Sequence, residues 1–197
     1  MLLQRFNTLA AMLAVLAGCA TAPREPIATA DWQSHREMVA AITDWSFSGK
    51  LAISTPQGTE SARLRWSQHG DDLQLEVSGP IGIKQVIFVR ENSRLRVFEA
   101  RQWRELTAQE ATLEAQLGWP LPLDLLPWWL RGVPAPQPLV TAMAISNGHL
   151  QQLEQAGWIL EYSSYQQVDD VVLPGKLLFR RGEVKGKILF KQWKLSR

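Results

Sequence analysis

The residues WSFSGKLAI, Trp45 to Ile53, place bulky apolar side chains at Trp45, Phe47, Leu51 and Ile53 and smaller or polar ones at Ser46, Ser48, Lys50 and Ala52. A period of two turns one face of an extended chain toward a core and the other toward water. The pattern recurs. ARLRW sets Ala62, Leu64 and Trp66 against Arg63 and Arg65, and LQLEV places Leu73, Leu75 and Val77 on one face. TPQGT and QHGDD supply the turns between them. Ile83 to Val89, Arg94 to Phe98 and Trp103 to Leu106 follow at short spacing. Connections this short join antiparallel neighbours, so the run predicts a meander.

Helical spacing appears in three places. Trp32, Val39 and Ile42 approximate one apolar stripe and predict a helix over residues 31–43. Thr107 and Glu110 have capping-box spacing, which predicts a helix from Ala108 to Leu117 stopped by Gly118. In WPLPLDLLPWWLRGVP, Leu123, Leu126 and Leu130 share a face, Pro122 suits a first turn, and Gly132 serves as the stop. Pro127 either kinks or shortens that helix. It is apolar nearly all round, so it must cover something or be covered. Strands resume at about His149, with a hairpin around Gln155, Ala156 and Gly157. Val171 to Phe179 and KGKILFKQWKL complete the set. The expectation is one mainly β domain over residues 31–197: roughly ten strands in an incomplete antiparallel barrel, with two or three helices as a lid. A sheet of this length curves toward closure and can enclose an apolar cavity.

The chain begins with a targeting pattern. Arg5 precedes the almost wholly apolar Thr8 to Ala17, too short a run to span a membrane. The segment ends in Leu16, Ala17, Gly18 and Cys19, which resembles the bacterial lipoprotein lipobox. That resemblance implies cleavage after residue 18, a diacylglycerol on the Cys19 sulfur and an acyl chain on its amine. Acyl burial contributes about 0.8 kcal/mol per methylene, so two or three chains anchor firmly. Ala20, in place of aspartate, implies sorting to the outer membrane. Residues 19–30, with Pro23 and Pro26, read as a lipidated tether. The sole cysteine is Cys19, so no intrachain disulfide forms. The mature chain carries twenty basic against nineteen acidic residues, a balance that does not call for a nucleic-acid partner.

No nucleophile elbow, dinucleotide or phosphate loop, or zinc-helix motif is present in the sequence. His35, His69 and His149 have no ligand-spaced partners and read as solvated surface residues. Asp71, Asp72, Asp169 and Asp170 read as turn formers. The expectation is a non-enzyme with neither metal nor cofactor. What the chain does have is bulk: Trp45, Phe47, Trp66, Phe88, Trp103, Leu126, Trp129, Trp158 and Phe179 are candidates to line an acyl-binding cavity. Aromatic stripes are more often plain core, and that reading stands beside it. Residues 176–197 hold eight basic residues and one acid, Glu183, a face for anionic headgroups or an acidic partner, or simply a solvated strand. In SGPIGIKQV, Ile81 stands between Pro80 and Gly82 in a turn, where it cannot easily reach the core.

Taken in order, the lipobox, WSFSGKLAI, ARLRWSQ, the GPIG turn, PLPLDLLPWWLRGVP and the tryptophan-bearing basic C-terminal strand resemble the outer-membrane lipoprotein receptor family LolB. The resemblance covers nearly the whole mature chain. It implies an incomplete barrel of about eleven strands with a helical lid over an apolar cavity. It implies that the protein acts as a monomer without nucleotide hydrolysis. Acylated lipoprotein cargo would come from the periplasmic carrier LolA and pass into the inner-leaflet phospholipid of the outer membrane. It also implies a membrane-insertion loop, Pro80, Ile81, Gly82 and Ile83, in which Ile81 matches an exposed leucine and Ile83 is the neighbouring candidate. The alternative is an assembly lipoprotein that binds a protein partner, holds no lipid and has a solid core.

Overall fold

The computed structural model describes residues 27–79 and 85–196. Cys19 and the loop residues Pro80, Ile81, Gly82 and Ile83 lie outside the described residues.

The period-two runs become strands as expected. They are β1 (Asp44–Thr55), β2 (Gly58–His69), β3 (Asp72–Ser78), β4 (Gln85–Glu91), β5 (Arg94–Glu99) and β6 (Gln102–Glu105). After the lid segment come β7 (Val140–Ser146), β8 (His149–Gln155), β9 (Trp158–Ser163), β10 (Gln166–Val168), β11 (Val171–Leu173), β12 (Lys176–Arg181) and β13 (Val184–Leu195). Eleven of these form one antiparallel sheet in the order β6-β5-β4-β3-β2-β1-β13-β12-β9-β8-β7, and β10 and β11 make a separate ribbon. The sheet is open, with β6 and β7 as its edges. The incomplete barrel is therefore what forms. β1 and β13 pair along ten residues, which brings the first and last strands of the domain side by side at mid-sheet.

The registers define two ends. At the entry end, the chain runs into β1, and the turns at 70–71, 92–93 and 147–148 gather there. At the far end lie the turns at 56–57, 156–157 and 182–183. The turn at 100–101 and the pair Ser78 and Gln85 stop short of it, in register with the middle of β1 near Lys50.

Three helices, α1 (Ile27–Ala40), α2 (Leu113–Leu117) and α3 (Leu126–Leu130), accompany the sheet. The expected helix over 108–117 is shorter than its capping box suggested. The Glu110 carboxylate does accept from the Thr107 amide at 3.0 Å, but the Thr107 hydroxyl donates to that same carboxylate. That closes an isolated turn, and Thr112 is the N-cap instead, accepting from the Ala115 amide. Gly118, at φ +71°, ends α2 as expected. Pro127 lies in the first turn of α3 and shortens the helix without kinking it.

Two strand expectations are corrected. Strands resume at Val140, not His149: β7 is an edge strand, mostly exposed, so its sequence carries no alternation. Val171 to Phe179 is two strands, broken where Pro174 removes a donor and Gly175 packs so closely that a Cβ would lie 1.9 Å from the Ser164 carbonyl oxygen.

The concave face of the sheet and the lid enclose the core. Trp66, Trp129, Trp158 and Phe88 are its largest fully buried side chains. Burial of each such residue contributes roughly 2–3 kcal/mol.

Candidate functional site

The sheet and lid part company at the entry end. A cleft of about 620 Å³ opens there, bounded by Trp45 and Leu95 from the sheet, Ile42 beyond α1, and Leu123, Trp128 and Arg131 from the lid. The alternation that makes β1 a strand sends Trp45 inward, where it stacks on Trp66 at 6.0 Å and meets Trp193 at 5.7 Å. Phe47, Phe190 and Trp193 extend this cluster, with centroids 5.0–5.2 Å apart. The indole Nε1 of Trp45 is buried without a partner. The opening sets the apolar Trp45, Leu95, Leu123 and Trp128 beside the polar Gln68, Asp71, Arg90, Ser93 and Asp124, a lining for a ligand with both apolar and polar parts.

The lid wall is organised by Arg131, which is only 5 % exposed. Its Nε donates to the Pro127 carbonyl at 2.9 Å, and Nη1 donates to the carbonyls of Val39 and Ile42 at 2.8 and 2.6 Å. Its guanidinium carbon lies 5.5 Å from the Trp45 ring centre and 5.2 Å from that of Trp128. Burial pushes its pKa down to about 10, so it remains a cation at neutral pH. It thus ties α3 to the C-terminal end of α1, whose dipole favours a cation. At the rim, Arg90 pairs with Asp124 at 2.7 Å.

The opposite half of the lid is fixed by Gln155, which is fully buried. Its Oε1 accepts from Trp129 Nε1 at 2.8 Å and from the Ala135 amide at 3.0 Å. Its Nε2 donates to the carbonyls of Ala135 and Pro138 at 2.8 and 2.6 Å. Tyr162 donates its hydroxyl to the Trp129 carbonyl.

The structure separates the sequence-derived candidates. Trp45 lines the cleft, and Phe47 and Trp66 stand directly behind it. Phe88, Leu126, Trp129, Trp158 and Phe179 are buried in packed core away from the opening. Trp103 is the exception: it is 50 % exposed. It pairs with Phe98, which pairs with Ile87 and then Glu76, a row on the outer face of the sheet. Register with the outward-facing Phe98 of β5 turns Trp103 away from the interior.

His35 is also corrected, since it is buried and not a solvated surface residue. Burial first, and the nearby His149 second, lower its pKa to about 4. Among the described residues no group of three or more His, Cys, Asp or Glu side chains is placed to hold a metal. No described helix is long and apolar enough to cross a membrane.

Arg131 and Gln155 are site residues that pattern reading missed. Arg131 had a usable signal, since a cation just before a glycine stop favours a helix C-terminus. Gln155 had none.

Comparisons with known proteins agree with this architecture. The family described as "Outer membrane lipoprotein LolB" matches residues 43–193. The LolB protein of Stutzerimonas stutzeri is 37% identical over 194 residues, covering 95% of this chain and 94% of that protein. That of Chromohalobacter salexigens is 32% identical over 187 residues, covering 93% and 87%. A LolA superfamily protein from Nitrosomonas europaea shares the fold with a TM-score of 0.54 at 9% identity, covering 86% of this chain and 94% of that one. With full-length relatives at this level and an open sheet closed by a lid, the chain belongs to the LolB family of lipid-anchored outer-membrane lipoproteins.

Proposed function

We propose that the protein receives acylated lipoproteins from the carrier LolA in the cleft between lid and sheet and passes them into the inner leaflet of the outer membrane. The observation that carries this reading is the 620 Å³ cleft, in which Trp45, Leu95, Leu123 and Trp128 give an apolar path beside a polar rim of Gln68, Asp71, Arg90, Ser93 and Asp124. Its volume falls within the range of small-ligand sites, roughly 300–1,000 Å³. The shared fold with a LolA superfamily protein supports a hand-over between two similar sites. Transfer then needs only a difference in affinity, and each 1.4 kcal/mol biases it about tenfold. No chemistry is required of the protein.

In this reading Cys19 carries the anchor and Ile81, with Ile83 beside it, contacts lipid during release. Reconstitution with loaded carrier and liposomes tests the whole scheme. Wild type should take cargo and insert it, whereas Ile81→Glu should take cargo and retain it. Equal insertion by both would sink the loop assignment. Cys19→Ala should lose incorporation of labelled palmitate.

The rival, an assembly lipoprotein with a solid core, is favoured by the packing of Phe88, Trp129 and Trp158. Under it, acyl ligand would leave tryptophan fluorescence unchanged and no cargo would move.

A further inference from the structure

The outer face of the sheet is unlike that of an ordinary half-buried sheet. Adjacent rows read Arg63, Lys50, Leu189, Lys176, then Ala52, Lys187, Leu178, then Ser54, Lys185, Arg180, running across β2, β1, β13 and β12. None of these six cations is in an ion pair with a described residue. On the same face Arg65 pairs with Glu76, and Glu161 stands beside Leu178. Surface cations on a sheet usually sit opposite carboxylates. Here they rim an apolar floor. Depressions of about 710, 420 and 380 Å³ run together along the outer face of β1, where the side chains of Ser46, Ser48 and Ala52 are small.

We propose that this outer face docks on an anionic phospholipid bilayer, so that the protein lies on its side on the membrane that holds its anchor. The proposal rests on the reading of Cys19 as anchor and of the loop between Ser78 and Gln85 as a lipid contact. The length of the tether permits this pose. The described chain starts at Ile27, and Asp31 packs against Gly148 at the entry end, where an added Cβ would approach Asp31 Cβ to 2.9 Å. The eight residues from Cys19 to Ile27 span at most about 28 Å when fully extended. From Asp72 at the entry end to Ser78, β3 runs about 20 Å, and Ser78 lies in register with Arg63 and Lys50, midway along β1. The tether is therefore long enough for the anchor and that loop to meet one bilayer with the sheet's outer face laid on it.

Charge complementarity is the argument that carries the proposal. Cations next to an anionic leaflet each contribute attraction, and the tether holds them at high effective concentration. The second argument is continuity with an interfacial aromatic. The row holding Ile87, Phe98 and Trp103 continues this face, and the Arg96 guanidinium carbon lies 5.3 Å from the Trp103 ring centre. A half-exposed indole beside a guanidinium suits the headgroup level of a membrane. This gives Trp103 a place that the interior does not.

The test uses the full-length lipidated protein in proteoliposomes. Acylation blocks Cys19, so Lys187→Cys and, on the lid, Glu114→Cys each offer one free thiol for a fluorophore. In vesicles containing phosphatidylglycerol, the probe at 187 should be quenched by headgroup-labelled lipid and shielded from aqueous iodide, and the probe at 114 should not. Pure phosphatidylcholine or 0.5 M salt should abolish the difference. Neutralising Lys50, Arg63 and Lys185 together should lower the docked-to-undocked ratio about a hundredfold, at about fivefold per cation. Equal exposure of 187 in both vesicle types, or shielding of 114 instead, overturns the proposal. So does shielding of 187 that appears only when carrier protein is added, since the face would then meet a protein. Cargo transfer is measured on the same samples. Intact transfer with no docking refutes this inference alone, whereas docking without transfer refutes the transfer reading alone.

Discussion

Replacing Gln155 with leucine should loosen the lid more than any other single conservative change in volume. Gln155 is 0 % exposed and uses its whole hydrogen-bonding capacity, accepting two bonds and donating two. Leucine strands the Trp129 indole N–H, the Ala135 amide and two carbonyls. Each buried orphan costs about 1–3 kcal/mol. Leucine adds apolar burial worth roughly 1–2 kcal/mol, and the 134–138 segment relaxes toward water. The net loss is about 4 kcal/mol. For a domain of this size that lowers Tm by roughly 8–16 °C. Near-UV circular dichroism through the thermal transition reads it directly. A double-mutant cycle with Trp129→Phe, which removes the indole donor, should return coupling of about 1 kcal/mol or more. A loss below 1 kcal/mol, or strict additivity with Trp129→Phe, would refute the assignment of Gln155 as the lid's anchor.

Further outcomes follow from the same geometry. His35 titrates near 4 when folded and near 6.5 when unfolded, so the unfolded state binds the extra proton. Stability is then full above pH 6.5 and declines as pH falls toward 4, by at most about 3 kcal/mol. His35→Leu should flatten that slope in urea titrations, and an unchanged slope would assign it elsewhere. Arg131→Met leaves three carbonyls without their donor but also removes a buried charge, so the expected loss is about 2 kcal/mol, read from the urea midpoint. Gly186→Ala should be severe, because a Cβ would lie 2.4 Å from Phe179 Cζ and 2.5 Å from the Ala52 carbonyl oxygen. By contrast Gly182→Ala, at φ +57° with nothing within 4 Å, should cost only about 1 kcal/mol. Thermal melts of the two should separate them clearly.

Much of the sheet could be read from alternation because one face of each central strand is buried. Trp45, Phe47, Leu51 and Ile53 carry the inward parity of β1 without ambiguity. Where burial on one face fails, so does the reading. In β7 the residues Thr141, Ala142, Met143 and Ala144 are all exposed, so nothing in their order marks a strand. In β5, Val97 and Phe98 are adjacent and both apolar, one pointing in and one out, and this hid the outward parity of Trp103 across from Phe98. The lid contacts were illegible for another reason. Arg131 meets the carbonyls of Val39 and Ile42, and Gln155 meets those of Ala135 and Pro138. Main-chain carbonyls have no residue identity, so a side chain that seeks them leaves no complementary letter elsewhere in the sequence.

The proposed function places an energetic demand on those same contacts. The interior behind Trp45 is packed, so cargo chains longer than the cleft must move the lid. The polar links that resist separation of α1 from α3 are the two Arg131 hydrogen bonds to Val39 and Ile42. Arg90 and Asp124 add little, because the Asp124 side chain is 85% exposed and exposed pairs contribute about 0–1 kcal/mol. Two charge-assisted bonds at about 1.5–3 kcal/mol each set the polar part of the opening cost near 3–6 kcal/mol. Burial of acyl methylenes returns about 0.8 kcal/mol apiece, so roughly four to eight methylenes offset it. Short acyl probes should therefore bind the cleft weakly and leave Arg131 in place, whereas probes well beyond that length should bind with the lid displaced. A plot of affinity against chain length should show a flat region followed by a rise, and Arg131→Met should move the onset of the rise to shorter chains. A plot that rises evenly from the first methylene, unchanged by Arg131→Met, would mean that the lid does not gate the cleft.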